Sequence, residues 1–313
     1  MNIKLQSRRL ANKVVNRLPK SLLKHFLKSI WQQPRLQDNL LFHVQPYRFD
    51  SAIPTLFDID LAKLDARRNL PGIMLDQTVY LDWLSKLRVY ASELADIPTH
   101  ETPGTDFWFQ NGSYGDLDAV TLYTMLRHLK PKRIIEIGSG RSSRMIERAA
   151  AKNNAEGSPC NCTFIEPFPP EYFVKSPPPG TFLQKKVQDI QLSIFKELDK
   201  SDVLFIDTSH VLKTQGDCCF ELLEIIPSLR QGVVVHVHDI FTPYDYPKEW
   251  LFERQFPFNE QYALECLLSC NSDHQIILPT HLLWREHRRA ILELLPQATD
   301  TPGAFWFINQ GKQ

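Results

Sequence analysis

The feature that most constrains the fold is a change of texture after Pro131. Short apolar runs begin there and alternate with helical stretches to the end of the 313 residues. Arg133–Ile137, Cys162–Glu166, Thr181–Gln184, Val203–Asp207 and Val233–His238 read as five strands, with Gln275–Leu278 and Ala304–Ile308 as two more. Helical patterns over Ser143–Lys152, Thr214–Ile226, Asn259–Cys270 and Glu286–Leu295 separate them, and Asp118–Leu129 precedes the first, stopped by Lys130-Pro131. Strands joined through helices predict a doubly wound α/β domain with a seven-stranded, mostly parallel, Rossmann-like sheet. Residues 1–105 read as an N-terminal helical and loop-like extension. Pro98, Pro103 and Gly104 break the chain before a domain spanning 106–313.

Composition excludes more than it assigns. Thirty-six basic residues balance 36 acidic ones, so no global field points to nucleic acid. Six cysteines without zinc-ligand spacing read as reduced thiols, and the cytoplasm is the expected compartment. Residues 1–30 hold eight Lys or Arg and no acid, with apolar residues near helical spacing. Such a helix either packs on the domain with a solvated basic face or contacts the inner membrane face peripherally. No apolar run there is long enough to span a bilayer.

Chemistry concentrates at strand ends, where open parallel sheets bind their ligands. Glu136-Ile-Gly138-Ser139-Gly140-Arg-Ser-Ser143 places two glycines in a strand-to-helix turn that a ligand can approach closely. A dinucleotide fingerprint would need glycine where Ser143 stands, which weighs against a nicotinamide oxidoreductase. The acid Glu136 suits an amine-bearing ligand. Glu166 ends the second strand, where a carboxylate accepts hydrogen bonds from ribose hydroxyls, and Gln188-Asp189 could read an adenine edge. Asp207 ends the fourth strand and His238-Asp239 the fifth, so these side chains open into one crevice with His210. His236, two residues before His238, shares its face and reads as a core histidine under the site. Tyr244, Tyr246 and Trp250 read either as an acceptor-site wall or as the anchor of their loop.

The strings Asp207-Thr-Ser-His210-Val-Leu-Lys213, Glu221–Pro227, His236-Val-His-Asp-Ile-Phe241 and Tyr246-Pro-Lys-Glu-Trp250, with Asn111-Gly112, Asp118 and Thr163–Pro167, resemble a bacterial family of class I S-adenosylmethionine (SAM)-dependent methyltransferases, methyltransferase domain 24. The resemblance covers roughly residues 105–310. It implies a seven-stranded sheet with a reversed last strand, SAM as methyl donor, and an oxygen acceptor on a small molecule or glycan. SAM would then be bound by Glu136, Gly138, Ser139, Gly140, Ser143, Glu166, Gln188 and Asp189. Metal-dependent O-methyltransferases hold a divalent ion on an acid after strand four and a pair after strand five, which here are Asp207, His238 and Asp239. His238 departs from that pattern. Magnesium prefers oxygen ligands, whereas imidazole suits manganese, iron or zinc. Two readings of the catalytic residues Asp207, His210 and His238 therefore stand open, a divalent metal or a metal-free His210 base. A non-catalytic scaffold that kept the fold is the remaining alternative.

Overall fold

The computed structural model describes Pro19, Ser21, Leu22, His25, Lys28, Ser29 and residues 59–311; most of the basic N-terminal segment therefore lies outside the described residues. All seven expected strands are present: β1 Arg133–Ile137, β2 Asn161–Ile165, β3 Thr181–Leu183, β4 Val203–Ile206, β5 Val234–Val237, β6 His274–Pro279 and β7 Phe305–Asn309. They form one sheet in the order β3-β2-β1-β4-β5-β7-β6, in which only β7 runs against its neighbours. The turn of order between β1 and β4 puts the carboxyl ends of β1, β2, β4 and β5 around one crevice.

Each central strand is buried on both faces, as the Val- and Ile-rich runs demand. One face carries Ile134, Phe164, Val203, Phe205 and Trp306 against the helices Asp116–Leu129 and Ser142–Ala155. The other carries Ile135, Ile137, Leu204, Ile206, Val235 and Phe307 against Leu222, Ile225 and Leu264. The Asp116–Leu129 helix has acids in its first turn and Arg127 and His128 in its last, matching its dipole. It ends at Lys130, in the left-handed region, before Pro131 forbids continuation. The helix expected over Glu286–Leu295 comes earlier and in two pieces, Thr280–Glu286 and Arg288–Ile291.

The boundary expected at 105 is not a boundary of packing. The compact unit holding the sheet spans 55–313. The helix Gln77–Arg88 buries Tyr80, Leu84 and Leu87 in the same core as the sheet's first face. Farther on, Glu93 pairs with the buried Arg127, whose guanidinium also reaches Glu156 at 2.6 Å. Pro98 and Gly104 lie in the loop between Ala91–Leu94 and Asp116–Leu129 without separating compact units. Among the described residues no helix is long and apolar enough to cross a membrane.

Gly138 ties two strand ends together. Its φ is +86°, and a Cβ there would sit 1.7 Å from the main-chain oxygen of Asp207. The Asp207 N–H in turn donates to Ile137 O at 2.9 Å. Gly138→Ala should therefore cost well beyond the ~1–2 kcal/mol of left-handed backbone strain. Urea unfolding checks this, and a midpoint equal to that of the parent chain would contradict the packing described.

Candidate active site

The turn after β1 is organised by a buried acid. Glu136 is fully enclosed, accepting from Ser142 Oγ at 2.7 Å and from Ser143 Oγ. Ser143 Oγ also receives the N–H of Gly140 at 3.1 Å. Glu136 and Ser143 thus shape the turn, while Gly140 stays open toward the Tyr172 hydroxyl, 3.4 Å from where a Cβ would stand. Ser139 is buried, and its hydroxyl has no partner among the described residues.

Gly138, Glu166, Gln188 and Asp207 line one cleft of about 470 Å³, together with Phe168 and Lys213. Glu166 is half-buried and accepts from the Phe168 N–H at 2.6 Å. Burial pushes its carboxyl upward from the ordinary value. Phe168, which lines the cleft, is 79% exposed. Gln188 donates to Gln215 O at 3.0 Å across the cleft floor. Asp189 is exposed and is not part of that lining.

Asp207 also belongs to the second half of the site. His210 Nε2 lies 3.3 Å from Asp207 Oδ1 and 3.4 Å from Asp239 Oδ2. His238 Nδ1 approaches the same two acids from the other side, at 3.4 and 3.5 Å. The far nitrogen of each ring is backed by a further carboxylate, His210 Nδ1 by Glu260 at 2.9 Å and His238 Nε2 by Asp118 at 3.2 Å. The two aspartates keep 24% and 19% of their side-chain surface exposed, so a ligand can reach them, while both rings are buried. His210 and Asp239 each hold φ at +58°, rare for residues with a Cβ and frequent at functional sites.

Charge follows this geometry. Burial disfavours a charged Asp207, yet His238 and the hydrogen bonds from both histidines outweigh it and hold the acid well below the carboxylate range. For Asp239, burial prevails over the two histidines and the pKa rises. Burial opposes charge on His210, but its bonds to Asp207 and Glu260 raise it well above the ordinary histidine value. The same holds for His238 through Asp239, Asp207 and Asp118.

His236 is the core histidine expected. It stacks on Phe205 at 4.2 Å, and burial keeps it neutral. Tyr244 and Tyr246 are buried; Tyr246 packs with Phe241, Leu64 and Leu251 as the anchor of its loop, not as a wall facing the crevice. Sequence reasoning missed Glu260 as a partner of His210 and gave Asp118 no role. Asp118 lies 120 residues from His238, and it also accepts the N–H groups of Gly303 and Ala304.

A seven-stranded sheet whose last strand is reversed, with a glycine turn after β1 opening into a cleft, defines the class I methyltransferase fold. Residues 135–240 match the family described as a methyltransferase domain, which supports a SAM-dependent methyltransferase activity. An uncharacterized protein of Archaeoglobus fulgidus is 28% identical over 171 residues, covering 50% of this chain and 74% of that one. Among solved structures, CalS11, a TDP-rhamnose 3'-O-methyltransferase of calicheamicin biosynthesis, is 14% identical, covering 78% of this chain and 100% of its own, at a TM-score of 0.40. The structure of cmcI with SAH is also 14% identical, covering 70% of this chain and 91% of its own, at 0.37. Both are distant.

Glu136 supplies a pH test. Burial raises its pKa from 4.5 to about 7, against the hydrogen bonds of Ser143 and Ser142. Between those values the folded chain holds a proton that the unfolded chain has released, so stability falls as pH rises through the window. Relative to Glu136→Gln, which has no proton to lose, the parent chain should lose about 3 kcal/mol between pH ~4.5 and ~7. Urea titrations of both proteins at a series of pH values measure the difference, and parallel curves would contradict the burial of a titrating acid.

Proposed function

We propose that the chain transfers the methyl group of SAM to a hydroxyl oxygen of a small molecule or glycan, in the crevice between Asp207, His210, His238 and Asp239. The observation that carries this reading is the double membership of Asp207, which lines the cleft holding Gly138 and Glu166 and also anchors the His/Asp cluster. A cofactor in the cleft would therefore present its sulfonium methyl beside the cluster. Gly138, Ser139 and Gly140 would approach its methionine end, Glu166 its ribose and Gln188 its adenine.

The donor set fits a divalent ion. Two carboxylates and two imidazole nitrogens converge, and carboxylate backing of the far ring nitrogen is the usual arrangement around metal-bound histidine. Asp207 and Asp239 would hold it with one of the two imidazoles, whose nitrogens both lie within 3.5 Å of the acids. His210 is grouped with them within 4.8 Å, and His238 stands where the sequence pattern expects a ligand. Imidazole favours manganese, iron or zinc over magnesium. When bound, such an ion supplies positive charge to the two aspartates and lowers the pKa of an acceptor hydroxyl. With His238 as that imidazole, His210 Nε2 would be left to accept the proton leaving the hydroxyl. The oxygen would take the methyl group as the carbon–sulfur bond broke, leaving S-adenosylhomocysteine and a protonated His210. Alignment of methyl and nucleophile contributes most of the remaining acceleration.

Calorimetry with S-adenosylhomocysteine should show one site, weakened by Glu166→Ala and unaffected by His210→Ala. With radiolabelled methyl SAM and a panel of sugar and phenolic hydroxyls, His210→Ala should lower turnover by about 10²–10⁴-fold. Absence of S-adenosylhomocysteine binding would remove the cofactor assignment. Undiminished turnover in His210→Ala would remove the base.

A further inference from the structure

The helix Glu260–Leu268 starts beneath the reaction crevice, and its first residues are spent on the two loops that carry the cluster. Asn259 and Glu260 donate their main-chain N–H groups to the carbonyl of His210, at 3.0 and 3.2 Å. Asn259 Oδ1 accepts the N–H of Leu212 at 2.6 Å, and Glu260 Oε2 stands 2.9 Å from His210 Nδ1. The next residue holds the loop after β5. Gln261 Oε1 accepts the N–H of Phe241 at 2.7 Å, its amide donates to Tyr244 O at 2.8 Å, and its own N–H donates to Tyr246 Oη at 3.1 Å. Both Glu260 and Gln261 are fully buried.

This arrangement exceeds what helix capping requires. A helix start needs acceptors for its first N–H groups, and the His210 carbonyl serves two of them. It does not need a wholly buried carboxylate turned onto an imidazole. Among the described residues, His210 is the only ion-pair partner of Glu260. Behind it stand Glu221 and Cys218, whose ligating atoms lie within 4.8 Å of a Glu260 oxygen and bring no positive charge. A buried carboxylate so placed is costly unless its one strong hydrogen bond is made.

We propose that Asn259, Glu260 and Gln261 form the positioning element of the crevice, with Glu260 fixing the ring plane of His210 through its Nδ1 hydrogen bond. Glu260 Oε2 is the hydrogen-bond partner of Nδ1, which leaves Nε2 as the nitrogen presented to Asp207 and Asp239. A base oriented by a third, buried group is the general logic of catalytic triads. Asn259 and Gln261 do the same for the backbone, locking the left-handed turn at His210 to the loop beyond Asp239. This role rests on the crevice being the site of methyl transfer.

The test uses the full chain labelled with ¹⁵N-histidine, without added metal. The parent protein should show a downfield Nδ1–H resonance, assigned to His210 by its loss in His210→Ala. In Glu260→Gln that resonance should move upfield or vanish, while S-adenosylhomocysteine affinity by calorimetry holds even where the thermal midpoint falls. Glu260→Asp, which withdraws the carboxylate by one methylene, should shift the same resonance and serves if the glutamine variant does not fold. A His210 resonance unchanged in a folded Glu260 variant would overturn the proposal. So would a fall of cofactor affinity in step with the thermal midpoint, which marks a scaffold role only. Failure of the parent chain to bind S-adenosylhomocysteine would strike the methyltransferase reading instead, leaving the Glu260–His210 result distinct.

Discussion

The structure around the crevice is governed by one electrostatic constraint, two aspartates held together at adjacent strand ends. Ligating oxygens of Asp207 and Asp239 lie within 4.8 Å of each other in a setting that withdraws them from much of the solvent. Two like charges at ~4 Å repel by about 4 kcal/mol at an effective dielectric of about 20. The pair persists because an imidazole enters from each side, and each imidazole persists because a further acid stands behind it. The result is an alternating chain of charges from Asp118 through His238, the two aspartates and His210 to Glu260. Removing any link leaves a buried charge uncompensated, so the six side chains act as a unit.

Only part of that chain is legible in the sequence, and the reason is physical. Asp207, His238 and Asp239 announce themselves because strand ends are visible where β-branched runs stop, and parallel topology makes such ends converge. His210 follows by proximity along the chain. Asp118 and Glu260 come from helices 120 and 50 residues away from their partners, and a carboxylate at a helix start ordinarily serves the helix dipole. Nothing local distinguishes them from caps. The packing of the residues before 105 is hidden for a similar reason. Pro98 and Gly104 look like punctuation between domains, while the stripe Tyr80, Leu84, Leu87 that packs into the sheet core shows only in three dimensions.

The glycine turn gains its meaning from the same cluster. Gly138 touches the main chain of Asp207 so closely that no side chain fits between them, and Asp207 N–H returns a bond to Ile137. A cofactor bound at the turn is thereby referenced to the acid that anchors the crevice, through backbone and not through a flexible side chain. Glu136 braces the turn from beneath with Ser142 and Ser143, so the acid read from sequence as a ligand for an amine works first as a structural tie.

What separates the two chemical readings of the crevice is the fate of the histidine protons. In the free crevice, protonated His210 and His238 supply the positive charge that Asp207 and Asp239 require, and a histidine so held is a poor base. A metal-free mechanism must therefore remove a proton from the very group that neutralises the aspartates, and it returns their repulsion when it does so. A divalent ion held by the aspartates and His238 would supply that charge and leave His210 as the base. Its binding would release protons, as binding to imidazole ligands does generally. The double carboxylate backing suits this exchange, because Asp118 and Glu260 keep both rings aimed at the crevice whether a proton or a metal lies between them and the aspartates.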